Sequence, residues 1–287
     1  MSDVPPVPAN ENGRSFLARH EFLLRRLHSL SGLVPVGAYM VVHLAVNSLA
    51  TFSPVMYQRQ VNNIHDLGPL LWIVEWAFIF IPLIFHAVYG VLIVRGAEMN
   101  TGRYKYGANR RFQLQRITGM IAFFFIFLHV FHMHGWFHVD GWLKVVEGLG
   151  GHMFRPFNAA SSGSDALRVS PIVWIGYLVG IFACVFHLAN GIWTAGITWG
   201  LWITPPAQKR ALQACTGFGA LVLAIGLTAW TGFAFTIDPV KAKQEEDKIT
   251  NARIAAGELT EEEAAHKRTA EHHDAKTADA AAESAGS

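Results

Sequence analysis

The sequence predicts an all-α integral membrane protein, a helical bundle with five transmembrane helices, and three observations carry that expectation. Of the 287 residues, 52% are hydrophobic and only 15% charged, a balance too apolar for an ordinary soluble domain. The charge is also segregated: residues 1–30 and 238–287 hold much of it, while the middle is built of long apolar runs carrying scattered Gly, Pro and Trp. Five of those runs reach about 20 residues or more, the length a helix needs to cross ~30 Å of hydrocarbon.

The runs lie at about 29–51, 70–95, 116–138, 171–199 and 211–236. Between them are the segments 52–69, 96–115, 139–170 and 200–210, punctuated by Pro54, Asn62, Asn63, Gly68, Pro69, Asn100, Gly102, Pro205 and Pro206, the residue types that stop helices and make turns. The chain divides into an N-terminal segment 1–28, a membrane domain 29–237 and a charged, Ala-rich tail 238–287 whose composition reads as disordered or as a loose surface helix. No apolar core next to a cleavage site opens the chain, so the first span itself is expected to direct insertion. Cys184 and Cys215 sit in separate apolar runs, which suggests neither a disulfide framework nor a thiolate metal site.

Basic residues mark alternate ends of the spans. Arg25 and Arg26 precede the first; Arg95, Arg103, Lys105, Arg110, Arg111 and Arg116 lie between the second and third; Lys209 and Arg210 precede the fifth. By the positive-inside rule these ends are cytoplasmic, as in a bacterial inner membrane, with the N-terminus inside and, after five spans, the C-terminus outside. The long segment 139–170 is then external and can cover the outer mouth of the bundle. From residue 241 onward there are 7 Lys+Arg and 11 Asp+Glu, so the membrane part is basic, but in the pattern of an orientation signal rather than a nucleic-acid surface. The tail histidines His266, His272 and His273 read as solvated.

A histidine inside a span is costly and marks a function or an internal partner. Each of the first four spans carries one: His43, His86, His129 and His187. Counted along a helix from the cytoplasmic end, His86 is ~14 Å deep (from Arg95) and His187 ~18 Å (from Trp199), whereas His43 is ~25 Å (from Arg26) and His129 ~20 Å (from Arg116). They sort into an inner pair, His86 with His187, and an outer pair, His43 with His129. In an up-down-up-down bundle the first and third helices face each other diagonally, as do the second and fourth. Each pair can therefore hold an iron between two neutral imidazoles, so that four of the five helices surround two stacked haems. Two axial ligands leave no open position for oxygen, which suits electron transfer.

Neighbouring residues fit a flat cofactor. Gly90 and Gly191 lie four residues after His86 and His187, on the same helix faces, and leave room for a macrocycle, although glycine in a span is also a packing device. Asn47 stands at the same offset from His43 and can support it by hydrogen bonding. Arg116, with Thr118, is a candidate partner for haem propionates. His132, three residues from His129, remains a rival ligand; His134 and His138 approach the outer interface. Glu75, three turns before His86 near the outer haem level, is the candidate proton-handling residue of an outer quinone site, against the alternative of an interfacial Glu paired with a loop donor.

The blocks RRLHSLSGLVPVG (25–37), HLAVN (43–47), PLIFHAVYGV (82–91), LQRITG (114–119) and FHLANGIWTAGITWG (186–200) resemble the cytochrome b558 type of succinate:quinone oxidoreductase anchor, a single five-span di-haem cytochrome b subunit of succinate dehydrogenase or fumarate reductase. The resemblance extends over about residues 20–236. It implies that His43, His86, His129 and His187 are the axial ligands of two haem b groups. It also implies flavoprotein and iron–sulfur partner subunits on the cytoplasmic face, surrounding lipid, and delivery of electrons to a membrane quinone, with menaquinone the type suggested. Some fumarate-reducing relatives carry a glutamate two positions before the fourth ligand; here that position is Val185. Arg26, His28 and Ser29 are expected to dock the iron–sulfur subunit or to line an inner quinone site. The alternatives are the di-haem cytochrome b of a formate dehydrogenase or hydrogenase and, from a different class, a histidine-lined proton or metal transporter. The latter is expected to show a broken or acid-lined span, and Glu75 is the one carboxylate within the apolar runs.

Overall fold

The computed structural model describes residues 16–96, 106–137 and 139–268. Arg103, Lys105, His138, His272 and His273 lie outside the described residues, as does the start of the N-terminal segment. Among the described residues there are five helices long and apolar enough to cross a membrane, Glu21–Phe52, Pro69–Arg95, Gly107–His134, Pro171–Thr198 and Pro205–Thr236, so the chain is a multi-pass, all-α membrane bundle. Three of them begin six to nine residues before the apolar runs do, because a helix continues through the interface while its Arg and Lys side chains reach for water.

The first span is two helices, α1 (Glu21–Leu33) and α2 (Pro35–Phe52). Pro35 has no N–H to continue the ladder and divides them. Ser53 then caps α3 (Pro54–His65), its hydroxyl accepting from the Met56 amide. The second span starts as α4 (Pro69–Val74), widens into a π-helical turn at Glu75–Phe80 and continues as α5 (Ile81–Arg95). The third, fourth and fifth spans are α6 (Gly107–His134), α9 (Pro171–Thr198) and α10 (Pro205–Thr231), the last ending in a π turn at Gly232–Thr236.

The fourth span is the hub: α9 packs on α6, α10 and α1, while α10 also lies along α2, and α1 along α5. Small residues set these approaches, as expected where lipid offers no hydrophobic drive between helices. A Cβ at Gly219 would stand 2.8 Å from Ala189 Cβ, and one at Gly226 2.9 Å from Ile181 and 3.4 Å from Leu44, so the fifth span sits on the first and fourth through two glycines on one face. Outward-facing Phe78, Ile84, Phe124, Leu128, Ile172 and Leu221 are exposed and offer the bundle's apolar surface to lipid.

The end remote from the basic span starts is capped. α3, α7 (Asp140–Gly148), a 3-10 turn at Pro156–Asn158, α8 (Ala159–Arg168), α11 (Pro239–Ala255) and α12 (Glu261–Lys267) pack there. Their core includes Tyr57, Val61, Leu167, Phe233 and Ile237 and runs into the spans through Ala50 and Met133. Residues 152–154 extend the third span's last carbonyls, His152 N–H donating to Phe131, Met153 N–H to His132 and Phe154 N–H to Met133.

Of the two readings of the tail, the described part follows the helical one, but packed rather than loose. Residues 239–267 form two helices, the first capped by Asp238, whose carboxylate accepts from the Val240 and Lys241 amides. The reason is Glu246, fully buried. It accepts from the Ala160 amide at 2.6 Å, the Ser161 amide at 3.3 Å and the Ser161 hydroxyl at 2.5 Å, satisfying the otherwise orphaned donors that start α8. Arg253 pairs with Asp66 at 2.7 Å. Arg168 donates to the carbonyls of Phe233, Ala234 and Ile237 at 2.6–3.1 Å, closing the end of the fifth span.

Candidate functional site: two histidine pairs across the bundle

The structure brings the four span histidines together in twos. His86 and His187 face each other with ring centroids 6.0 Å apart and planes at 84°; His43 and His129 do so at 5.9 Å and 79°. A metal bound by two imidazoles at ~2 Å each separates the nitrogens by ~4 Å and the ring centres by ~6 Å. Among the described residues no three or more His, Cys, Asp or Glu side chains gather as a metal cluster, so the arrangement is two separate two-imidazole clamps.

The inner clamp also has the right protons. His86 Nδ1 lies 2.9 Å from the His28 carbonyl and His187 Nδ1 3.0 Å from the Gln115 carbonyl. A carbonyl only accepts, so each Nδ1 must carry the hydrogen and each Nε2 is left with a lone pair. This is the tautomer of an axial ligand held by an outer hydrogen bond. Both histidines reach a main-chain carbonyl because the opposing helix has a glycine at the point of approach. A Cβ at Gly32 would overlap the His86 ring, and one at Gly119 would lie 2.8 Å from His187 Cε1.

In the outer clamp, His129 Nδ1 stands 3.3 Å from the Tyr177 hydroxyl, and His132 Nδ1 2.8 Å from the same oxygen. His129 and His132 thus share one tyrosine. Asn47 donates to the His43 carbonyl at 2.7 Å and accepts from the Tyr57 hydroxyl at 3.1 Å, tying His43 to α3 of the cap. Tyr39, one turn before His43, has its ring centroid 5.5 Å away.

The other sequence-selected residues fall as follows. A Cβ at Gly90 would meet His28 Cε1 at 3.1 Å, and one at Gly191 would meet Gln115 Nε2 at 3.4 Å, so side chains of α1 and α6 approach these two glycines. Arg116 lays its guanidinium 4.0 Å over the Phe112 ring, and Thr118 bonds back to the Leu114 carbonyl. Glu75 opens the π-helical turn of the second span. Arg26, His28 and Ser29 turn toward the bundle: Arg26 donates to the Thr198 carbonyl and covers the Trp199 ring, Ser29 accepts from Trp199 Nε1, and His28 stacks on His86 at 4.1 Å and 8°.

Three functional neighbours were missed. Gln115 accepts from His187 through its carbonyl and returns its side-chain amide to the His187 carbonyl at 3.0 Å. Asn190 donates to Gln115 and accepts from Arg111. Asn190 carried a signal, an amide set among apolar residues, whereas Gln115, between Gln113 and Arg116, carried none. Tyr177, at the outer clamp, had no such signal, because a tyrosine in a span reads as an interfacial anchor.

No protein-family model matches the chain. Its sequence is 35% identical over 190 residues, covering 66% of this chain and 85% of the relative, to the succinate dehydrogenase cytochrome b558 subunit of Bacillus subtilis (strain 168). With that identity over most of the relative's length and a five-span all-α membrane architecture, the chain belongs to the family of succinate dehydrogenase cytochrome b558 subunits.

Proposed function

We propose that this membrane-anchor cytochrome b holds two b haems, the inner on His86 and His187 and the outer on His43 and His129, and passes electrons through them to a membrane quinone. The observation that carries the reading is the pair of imidazole clamps at 6.0 and 5.9 Å, the inner with both Nδ1 atoms committed to carbonyls. Bis-imidazole haem b supplies a one-electron iron couple with no open position for oxygen. The chain's part is to fix the tautomers, exclude water with its apolar walls, and set the two centres at different depths, dividing a path of ~30 Å.

The flavoprotein and iron–sulfur subunits of succinate dehydrogenase dock at the basic, cytoplasmic end, where Arg25, Arg110, Lys209 and Arg210 stand at the span starts. The capped end, with the C-terminus, lies outside. The quinone site is at the outer level, with Glu75 in the π turn as the proton-handling residue; π turns recur at functional sites. A low-potential quinone of the menaquinone type gains most from a transmembrane electron path.

The test is spectroscopic. The purified complex should contain about two low-spin b haems per chain; replacing His43 or His129 by Leu should remove one, and replacing His86 or His187 the other. Full haem content in all four variants would refute the assignment.

A further inference from the structure

We infer that Tyr177 is a positioning residue of the outer clamp, whose one hydroxyl links His129 to His132 so that, with His129 as the ligand, His132 is held in the tautomer that cannot serve as one. This rests on the outer pair being a haem site, as proposed above. The two Nδ1 atoms lie 3.3 and 2.8 Å from a single phenol oxygen, and a phenol has one hydrogen. It donates to one histidine and must accept from the other. His129 faces His43 across the bundle, so its Nε2 is the atom that needs a lone pair, and its Nδ1–H donates to Tyr177. The phenol hydrogen is then committed to His132 Nδ1, the shorter contact. His132 carries its hydrogen on Nε2 and has no lone pair there to offer iron.

The tyrosine is held where it can do this. It sits on α9 with its ring edge-on to Phe125, centroids 5.4 Å apart at 87°, and Phe125 itself stacks on His129 at 5.7 Å. Trp174, one turn earlier on the same helix, and Tyr177 both pack on the buried core shared with the cap. The chain of hydrogen bonds runs from the third span through the fourth and back to the third, so it fixes both the rotation of the His129 ring and the electron density at its Nε2. An Nδ1–H that donates makes the imidazole a stronger donor and favours ferric iron.

The test is a redox titration of both haems, by optical and electron paramagnetic resonance spectra, in membranes holding the whole complex. Tyr177→Phe keeps the ring and removes the hydroxyl. It should shift the outer haem's reduction equilibrium about tenfold toward the reduced form, ~59 mV for one electron, with an altered low-spin signal and the inner haem unmoved. His132→Leu should keep the outer haem and shift it less. The double variant should shift it no further than Tyr177→Phe, because His132 acts through the phenol. If Tyr177→Phe fails to assemble, His132→Leu alone still decides. Loss of the outer haem in His132→Leu, an outer equilibrium unmoved in Tyr177→Phe, or additive shifts would overturn the inference. Retention of both haems in His129→Leu would instead refute the ligand assignment beneath it.

Discussion

Glu246 offers a quantitative test of why the tail is ordered. Its carboxyl is fully buried against the start of α8, and burial pushes its pKa up from 4.5 to about 7, with the Ser161 hydroxyl and the Ala160 and Ser161 amides pulling the other way and Asp247 adding to the rise. The sign follows from linkage: the attached tail binds a proton that the released tail gives up, so attachment is strongest below about pH 4.5 and weakens as pH rises through about 7. The whole effect is worth about 3 kcal/mol, and the part between pH 5 and pH 8 about 2.5 kcal/mol, a factor of ~70 in the opening equilibrium.

The assay is hydrogen exchange of residues 239–255, corrected for the intrinsic pH dependence of amide exchange. Protection should fall by about that factor between the two pH values in the wild-type chain. Glu246→Gln should abolish the dependence while keeping the helix, since the amide oxygen can accept from Ala160 and Ser161 and its NH2 can donate to the Ser161 hydroxyl. Equal protection at both pH values in the wild type, or an undiminished slope in Glu246→Gln, would refute the reasoning.

Further outcomes follow from the same contacts. Gly119→Leu should drive a side chain into the His187 ring, 2.8 Å from where a Cβ would begin, lowering inner-haem occupancy in optical spectra while the outer haem stays. Arg168→Ala removes the side-chain donor of the Ala234 and Ile237 carbonyls, while the Phe233 carbonyl keeps Ser164, and should cost about 2 kcal/mol, read as faster proteolysis of the tail after residue 237. Gln115→Leu removes the side-chain bond to the His187 carbonyl but leaves the main-chain acceptor for Nδ1; the inner haem should be retained, with its potential shifted by less than Tyr177→Phe shifts the outer.

The architecture was legible because membrane helices announce themselves by length and composition: five spans, their order and the two histidine depths follow from 3.6-residue geometry and a bilayer thickness. The glycines were legible as sites of close approach but not as to what approaches. Gly90 and Gly191 read as space for a macrocycle from their offset alone, whereas the structure brings His28 and Gln115 against them, and the His86 and His187 rings instead approach Gly32 and Gly119 on other helices. An offset along one helix carries no information about the helix opposite. The tail misled for a related reason. Its mixed charge and alanine content resemble disorder or a loose helix, and Glu246 looks like one acid among many until Ala160 and Ser161, 86 and 85 residues away, are placed around it.

The two clamps differ in what orients them, and the difference has a mechanistic consequence. At the inner clamp both Nδ1 partners are main-chain carbonyls. They can only accept, they survive any substitution of His28 or Gln115, and they fix the ligand tautomer unconditionally. At the outer clamp the partner of His129 is a side-chain hydroxyl, which can donate or accept and is shared with His132. The inner pair is therefore oriented by main-chain groups alone. The orientation of His129 therefore depends on two side chains, Tyr177 and His132, and single substitutions at either can change it.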